Sequence, residues 1–227
     1  MAAPMATIIL TLTAHTTMST ERAALLLSQW LSPAFPVGAF AYSHGLETAV
    51  AEGAIADATE LAEWLTDLLL WGAGASDARL LAASWQGAAD TDDTARAFAS
   101  SAERLRETEL QGAAFVATVS KVWDHSNDPA TYPVAIGAAA AREGLPLDLT
   151  ISMYLQAFVS NLISAAVRLV PLGQTDGQVV LKRLTPLCER ISKDAMEGDL
   201  HELSSLCWAS DIAAMRHETQ TTRLFRT

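Results

Sequence analysis

Cysteine, histidine and basic side chains are all scarce in this sequence. The two cysteines, Cys188 and Cys207, form no CxxC pair, and nothing else points to an oxidising compartment, so both read as reduced core thiols. Fifteen Lys and Arg stand against 26 Asp and Glu, and the net charge of −11 works against nonspecific attraction to nucleic acid or anionic lipid. A basic or cation-carrying partner suits such a chain better; the alternative is that acidity only keeps it in solution. Histidines are too sparse for an obvious metal centre: His44 and Glu47, three apart, can share a helical face, but two ligands do not make a site. His201 with Cys207 and His217 with Glu218 are no better placed. Glu107 and Glu109, two apart on a helix, point away from each other and do not form a carboxylate pair.

Enzyme signatures are missing as well. There is no GxxxxGK to cradle phosphates and no GxSxG elbow to activate a serine. "WGAGASDA", Trp71 to Ala78, contains a GxG, but it continues a helical pattern with no strand before it and lacks the third glycine. The N-terminal "MAAPMATIILTLTAH" has only a short apolar run without a basic flank, too short to span a bilayer. Residues 1–18 read as a flexible extension, and Met18 as a possible natural start. No alternating strand pattern occurs beyond that extension.

What is present is helix. Half of the 227 residues are apolar, enough for one compact core, and residues 19–227 read as a single-domain all-α bundle of roughly eight to ten helices. Ser19 stands as an N-cap before "TERAALLLSQWL", with Glu21 in the first turn. Leu61, Trp64, Leu65, Leu68 and Leu69 carry the spacing of a buried helical face. A charged helix is expected from about Thr94 towards Trp123, with Phe98, Leu105, Phe115, Val119 and Val122 on its apolar side. Leu147 to Leu172 is the most apolar segment and belongs at the centre of the bundle; Gln156, Asn161 and Arg168 within it argue against a membrane span. Ser152, Gln156, Ser160, Ser164 and Arg168 recur at every fourth position of that helix, either as small residues for close packing or as a hydrated or subunit-contacting seam. Pro171 and Gly173 stop it, Thr175 or Asp176 can cap the next helix, and Pro186 is expected to kink that one.

Two stretches stay unexplained by packing. "SPAFPVGAFAYSHGLETAV", Ser32 to Val50, sets two prolines, two glycines and three aromatics between helical runs. Pro33 and Pro36 bend the chain, Gly38 permits an unusual backbone angle, and the turn then offers Phe40 and Tyr42 as a recognition surface. The tail "RLFRT" places Leu224 and Phe225 beside Arg223, residue types enriched at interface hot spots, unless the tail docks on its own core.

Three motifs carry a resemblance. "LSPAFPVGAFAYSHGLE", "SNLISAAVRLVPLGQTDGQ" and "MRHETQTTRLFRT" together resemble the urease accessory protein UreF family, in order from about Leu25 to Thr227. The resemblance implies a non-catalytic, cytoplasmic, homodimeric all-α maturation factor. It would bind UreD (also called UreH), recruit the GTPase UreG and act on apo-urease, with nickel handled transiently by the assembled complex and no cofactor held tightly. Phe40 and Arg223 match family positions tied to the UreD-facing surface; Tyr42, His44, Glu47, His217, Leu224 and Phe225 belong to the same motifs. A direct nickel chaperone using His44, Glu47 and His217, and a helical enzyme or small-molecule binder, are the competing functions.

Overall fold

The structure, a computed structural model, describes residues 18–125 and 128–226. Among them the chain is all-α, as expected, and contains no strand. The helices are α1 (Thr20–Trp30), α2 (Leu46–Ala51), α3 (Ala58–Trp71), α4 (Ala73–Trp85), α5 (Thr91–Ala97), α6 (Ala102–Val122), α7 (Tyr132–Arg142), α8 (Leu147–Leu169), α9 (Gln174–Glu197) and α10 (Trp208–His217), with short 3-10 turns at Ala39–Ala41 and Leu200–Glu202. Of the expected N-terminal extension only Met18 falls within the described residues, where its N–H donates to the Gly144 carbonyl at 3.2 Å.

The apolar patterns set the layout. α8 lies at the centre and packs against α1, α2, α3, α4, α7 and α9. Its Ile151, Leu155, Val159, Leu162 and Ala166 join Leu27, Trp30, Leu65, Leu69, Leu81, Phe115 and Ile136 in the main core, and each fully buried side chain of that size is worth about 1.5–3 kcal/mol. By length and composition α8 would also pass for a membrane span, but its apolar faces are taken up by helices of its own chain. The four-residue polar series runs along its open flank: Gln156, Ser164 and Arg168 are exposed, and Ser152 and Ser160 half-buried. Close helix packing therefore does not account for its three exposed members.

Three boundaries differ from the sequence reading. The helix expected from Thr94 to Trp123 is two, because the Ser101 hydroxyl accepts the Arg104 N–H at 3.1 Å and starts α6 afresh; Phe98, expected on the buried face, is exposed in the break. The helical run through Trp71 is also broken, at Gly72, where a Cβ would come 2.9 Å from the Cys207 Cβ. Ser19 sits at the start of α1 without making a side-chain cap. α9 begins with Asp176 accepting the Gly173 N–H at 3.0 Å and runs on through Pro186, which lies on its exposed side. Cys188 and Cys207 are buried and unpaired, and burial pushes the Cys188 thiol up to about 11, which leaves it inert as a nucleophile.

Candidate functional site

The proline-rich stretch leaves α1 through a tight bend in which the Phe35 N–H reaches the Ser32 carbonyl at 2.9 Å. Gly38 then adopts φ 73°. A side chain there would touch nothing within 4 Å, so the backbone angle alone calls for glycine. The following 3-10 turn holds Phe40 outwards, 61% exposed, while its carbonyl accepts from Arg168 Nη2 at 3.1 Å. Tyr42, expected beside Phe40 on the surface, is turned inwards and buried, because the chain becomes extended there. His44 and Gly45 are both left-handed, φ 53° and 75°. At Gly45 space is also short, since a Cβ would meet the Ala214 nitrogen at 2.8 Å. A left-handed histidine is strained by about 1–2 kcal/mol. Its anchors are the Ser210 hydroxyl on its carbonyl at 3.2 Å, Glu107 on its ring, and an edge contact with Phe158 at 4.8 Å.

Glu47, in the first turn of α2, is the latch for the tail. Its Oε1 accepts the Leu224 N–H at 2.7 Å and its Oε2 the Phe225 N–H at 2.9 Å, while His217 Nε2 lies 3.2 Å from Oε2. On its other side the His217 ring reaches Glu103 Oε2 through Nδ1 at 2.7 Å, and Glu103 Oε1 holds Arg223 Nη1 at 2.6 Å. Tail amides, Glu47, His217, Glu103 and Arg223 thus close a ring that joins α2, α6, α10 and the tail. Phe225 is buried within the main core, with the Arg168 guanidinium 4.6 Å over its ring, and the Arg226 N–H reaches the Ala41 carbonyl at 2.7 Å. Of the two readings of the tail, docking on its own core is the one seen: Phe225 is buried there, and the tail braces the turn.

The sequence-derived residues therefore separate by depth. Phe40 and Leu224 are exposed, at 61% and 74%, and Arg223 lies at the surface in its pair with Glu103. Tyr42, His44, Glu47, His217 and Phe225 are buried and act inside the chain. His44 and Glu47 do not converge: one faces Glu107 and the other His217. Among the described residues no three His, Cys, Asp or Glu side chains are grouped to hold a metal ion.

Sequence reasoning missed the contribution of α6. Glu107, set aside there as pointing away, is buried and lies 2.5 Å from Arg104 Nη1, 3.1 Å from His44 Nε2, and accepts Gln111 Nε2 at 2.9 Å. Burial alone would raise its carboxyl, but Arg104 and His44 outweigh burial and hold it at about 2. Asp77, 4.0 Å from Arg104 Nη2, goes the other way: burial pushes it up despite Arg104 and the Tyr154 hydroxyl that donates to it at 2.8 Å. One guanidinium thus serves two buried carboxylates, of which Glu107 carries the firm charge. The available signal was the stripe Arg104, Glu107, Gln111, Phe115, whose helical spacing puts polar groups on the same side as a core phenylalanine.

Comparison with known proteins agrees with the motifs. The model of the UreF family matches residues 55–185. The chain is 52% identical over 223 residues to the urease accessory protein UreF of Roseobacter denitrificans, covering 95% of this chain and all of that one. It is 50% identical over 213 residues to that of Ruegeria pomeroyi, covering 92% and 98% of the two chains. With the protein of the same name from Dinoroseobacter shibae the figures are 48% over 207 residues, covering 90% and 99%.

Proposed function

Since the chain belongs to the UreF family of urease accessory proteins, and so takes part in urease maturation, we propose that it is a non-catalytic adaptor that binds UreD (UreH) and brings the GTPase UreG to apo-urease for nickel insertion. The observation that supports this reading is the braced turn. Phe40 and Leu224 are large apolar side chains left in solvent on two segments that Arg168 ties together, through the Phe40 carbonyl and the Phe225 ring. A rigid scaffold presenting exposed apolar anchors beside an arginine, here Arg223, has the composition of an interface hot spot. In this reading Tyr42, His44, Glu47, His217 and Phe225 shape the surface from below. Nickel passes through the assembled complex without a tight site on this chain, and the work is done in the cytoplasm by a homodimer. The homodimer has a candidate surface of its own in Trp208, Ile212 and Met215, one exposed stripe of α10 next to Leu206 and Trp71.

The test is capture by tagged UreD of the wild type and of Phe40→Ala and Leu224→Ala. Truncating a hot-spot side chain costs about 2–4 kcal/mol, or roughly 30- to 1000-fold in affinity, and neither side chain is in the core, so circular dichroism is expected to be unchanged. Undiminished capture of both variants overturns the assignment of this surface.

A further inference from the structure

Three exposed arginines gather around the braced turn. Arg168, near the end of α8, donates from Nε to the Ser164 carbonyl and from Nη2 to the Phe40 carbonyl, both at 3.1 Å, and its guanidinium lies 4.6 Å over the Phe225 ring. Arg226 follows Phe225 in the tail; its N–H reaches the Ala41 carbonyl at 2.7 Å and its side chain bonds the Tyr42 phenol. Arg106, on α6, stands near the same phenol: burial and Glu107 push Tyr42 up, and Arg226 and Arg106 pull against them.

The carboxylates at the turn are already engaged. Glu47 holds the tail amides and His217, Glu107 is buried against Arg104 and His44, and Glu103 is shared by His217 and Arg223. Among the described residues Arg106, Arg168 and Arg226 form no ion pair. A single unpaired base on a surface is ordinary, but three around one turn, in a chain with 15 Lys and Arg against 26 Asp and Glu, are a local reversal of charge. Arg168 is also fixed in place by backbone carbonyls, so its remaining N–H groups are presented with little left to order.

We infer that the protein docking on this turn carries a cluster of Asp or Glu side chains around the apolar residues that cover Phe40, and that Arg106, Arg168 and Arg226 read that cluster. The inference rests on the adaptor reading above and gives the partner's surface its chemistry. Covering Phe40 and Leu224 takes water from the guanidiniums beside them, which is tolerable only if the partner returns negative charge. A protein fits better than nucleic acid or an anionic membrane. Exposed Phe40 and Leu224 call for an apolar counterpart, and an extended polyanion would run from this small patch onto a surface whose charge has the same sign as its own.

The experiment follows association of purified UreD with the wild type, the double variants Arg106→Gln with Arg226→Gln and Arg106→Lys with Arg226→Lys, and Phe40→Ala, at about 0.05 and 0.5 M salt. Arg168 is left intact because it holds the turn. The on-rate of the glutamine variant is expected to fall about tenfold at low salt and to lose most of its salt dependence, while the lysine variant associates as the wild type does and circular dichroism is unchanged in both. An on-rate in the glutamine variant equal to or above wild type, with binding lost in Phe40→Ala, overturns the inference while the adaptor reading stands. Wild-type binding in every variant overturns both. Duplex DNA and phosphatidylserine vesicles are run alongside: retention of either by the wild type but not by the glutamine variant, with UreD rates unchanged, assigns the arginines to a polyanion and overturns the inference as well.

Discussion

Replacing Glu47 by glutamine tests whether the tail is held by a latch. In the wild type the carboxylate takes the backbone N–H groups of Leu224 and Phe225 at 2.7 and 2.9 Å and faces His217 at 3.2 Å. Hydrogen bonds to a charged group contribute about 1.5–3 kcal/mol each. Glutamine keeps the shape and one acceptor oxygen, but it turns an NH₂ towards a second donor, so the variant forfeits about one such bond, roughly 2–3 kcal/mol. The penalty falls on the tail, because α2 stays packed through Leu46 and Ala49. Amide hydrogen exchange is the direct assay: opening of the tail is expected to expose the Leu224 and Phe225 amides roughly 30- to 150-fold more often, while amides in the middle of α8 keep their protection. Unchanged exchange at Leu224 and Phe225 would refute the latch. Equal acceleration along α8 would refute it too, by showing that Glu47 supports the whole fold.

Two further outcomes follow from the same geometry. The Glu107 carboxyl falls from an ordinary 4.5 to about 2 on folding, so its contribution is complete above pH 4.5 and disappears as pH drops towards 2, by up to about 3 kcal/mol; Asp77, shifted upwards, acts in the opposite sense and gains stability as pH falls through its raised value. Urea unfolding across that window should show Glu107→Gln less stable at neutral pH, where Arg104 is left uncompensated, and flatter on the acid side; an acid limb as steep as wild type would contradict the assignment. Gly45→Ala, at φ 75° with a backbone nitrogen 2.8 Å from the new Cβ, should lower the melting temperature clearly more than Gly38→Ala, at φ 73° in open space, where only the backbone term of about 1–2 kcal/mol applies; equal effects at the two sites would show that the Gly45 contact with α10 yields freely.

Where apolar residues recur with helical spacing, sequence and structure agree: Leu61, Leu65, Leu68 and Leu69 in α3 and Ile151, Leu155 and Leu162 in α8 are all buried. Of the boundaries that escaped, the start of α6 has a local cause, the Ser101 cap, and the break at Gly72 is partly tertiary. The apolar pattern does not mark Gly72 as a break; a side chain there would meet both Leu68, in the preceding turn, and Cys207, which arrives from far along the chain, at 2.9 Å. The site was legible as two anomalies, the turn and the tail, but not as one object. Composition shows that Leu224 and Phe225 are apolar, not that one faces water and the other the core. That choice is made by Glu47, whose role depends on amides 177 and 178 positions away. Polar α6 residues were hidden in part for the same reason: the Arg104–Glu107 pair is local, but His44 and Asp77, which complete its surroundings, come from elsewhere in the chain.

The ring of Glu47, His217, Glu103 and Arg223 also says when the surface comes into being. Its bonds span 114 to 178 positions of sequence, and contacts of that separation carry a large closure entropy that is recovered only after the intervening helices have condensed. Hairpins such as α3–α4 can assemble early from local contacts, whereas the ring closes late. A chain that has collapsed but not finished folding therefore has its helices without the braced turn. A partner that reads the turn engages only molecules whose folding is complete, and the surface doubles as a certificate of the finished fold.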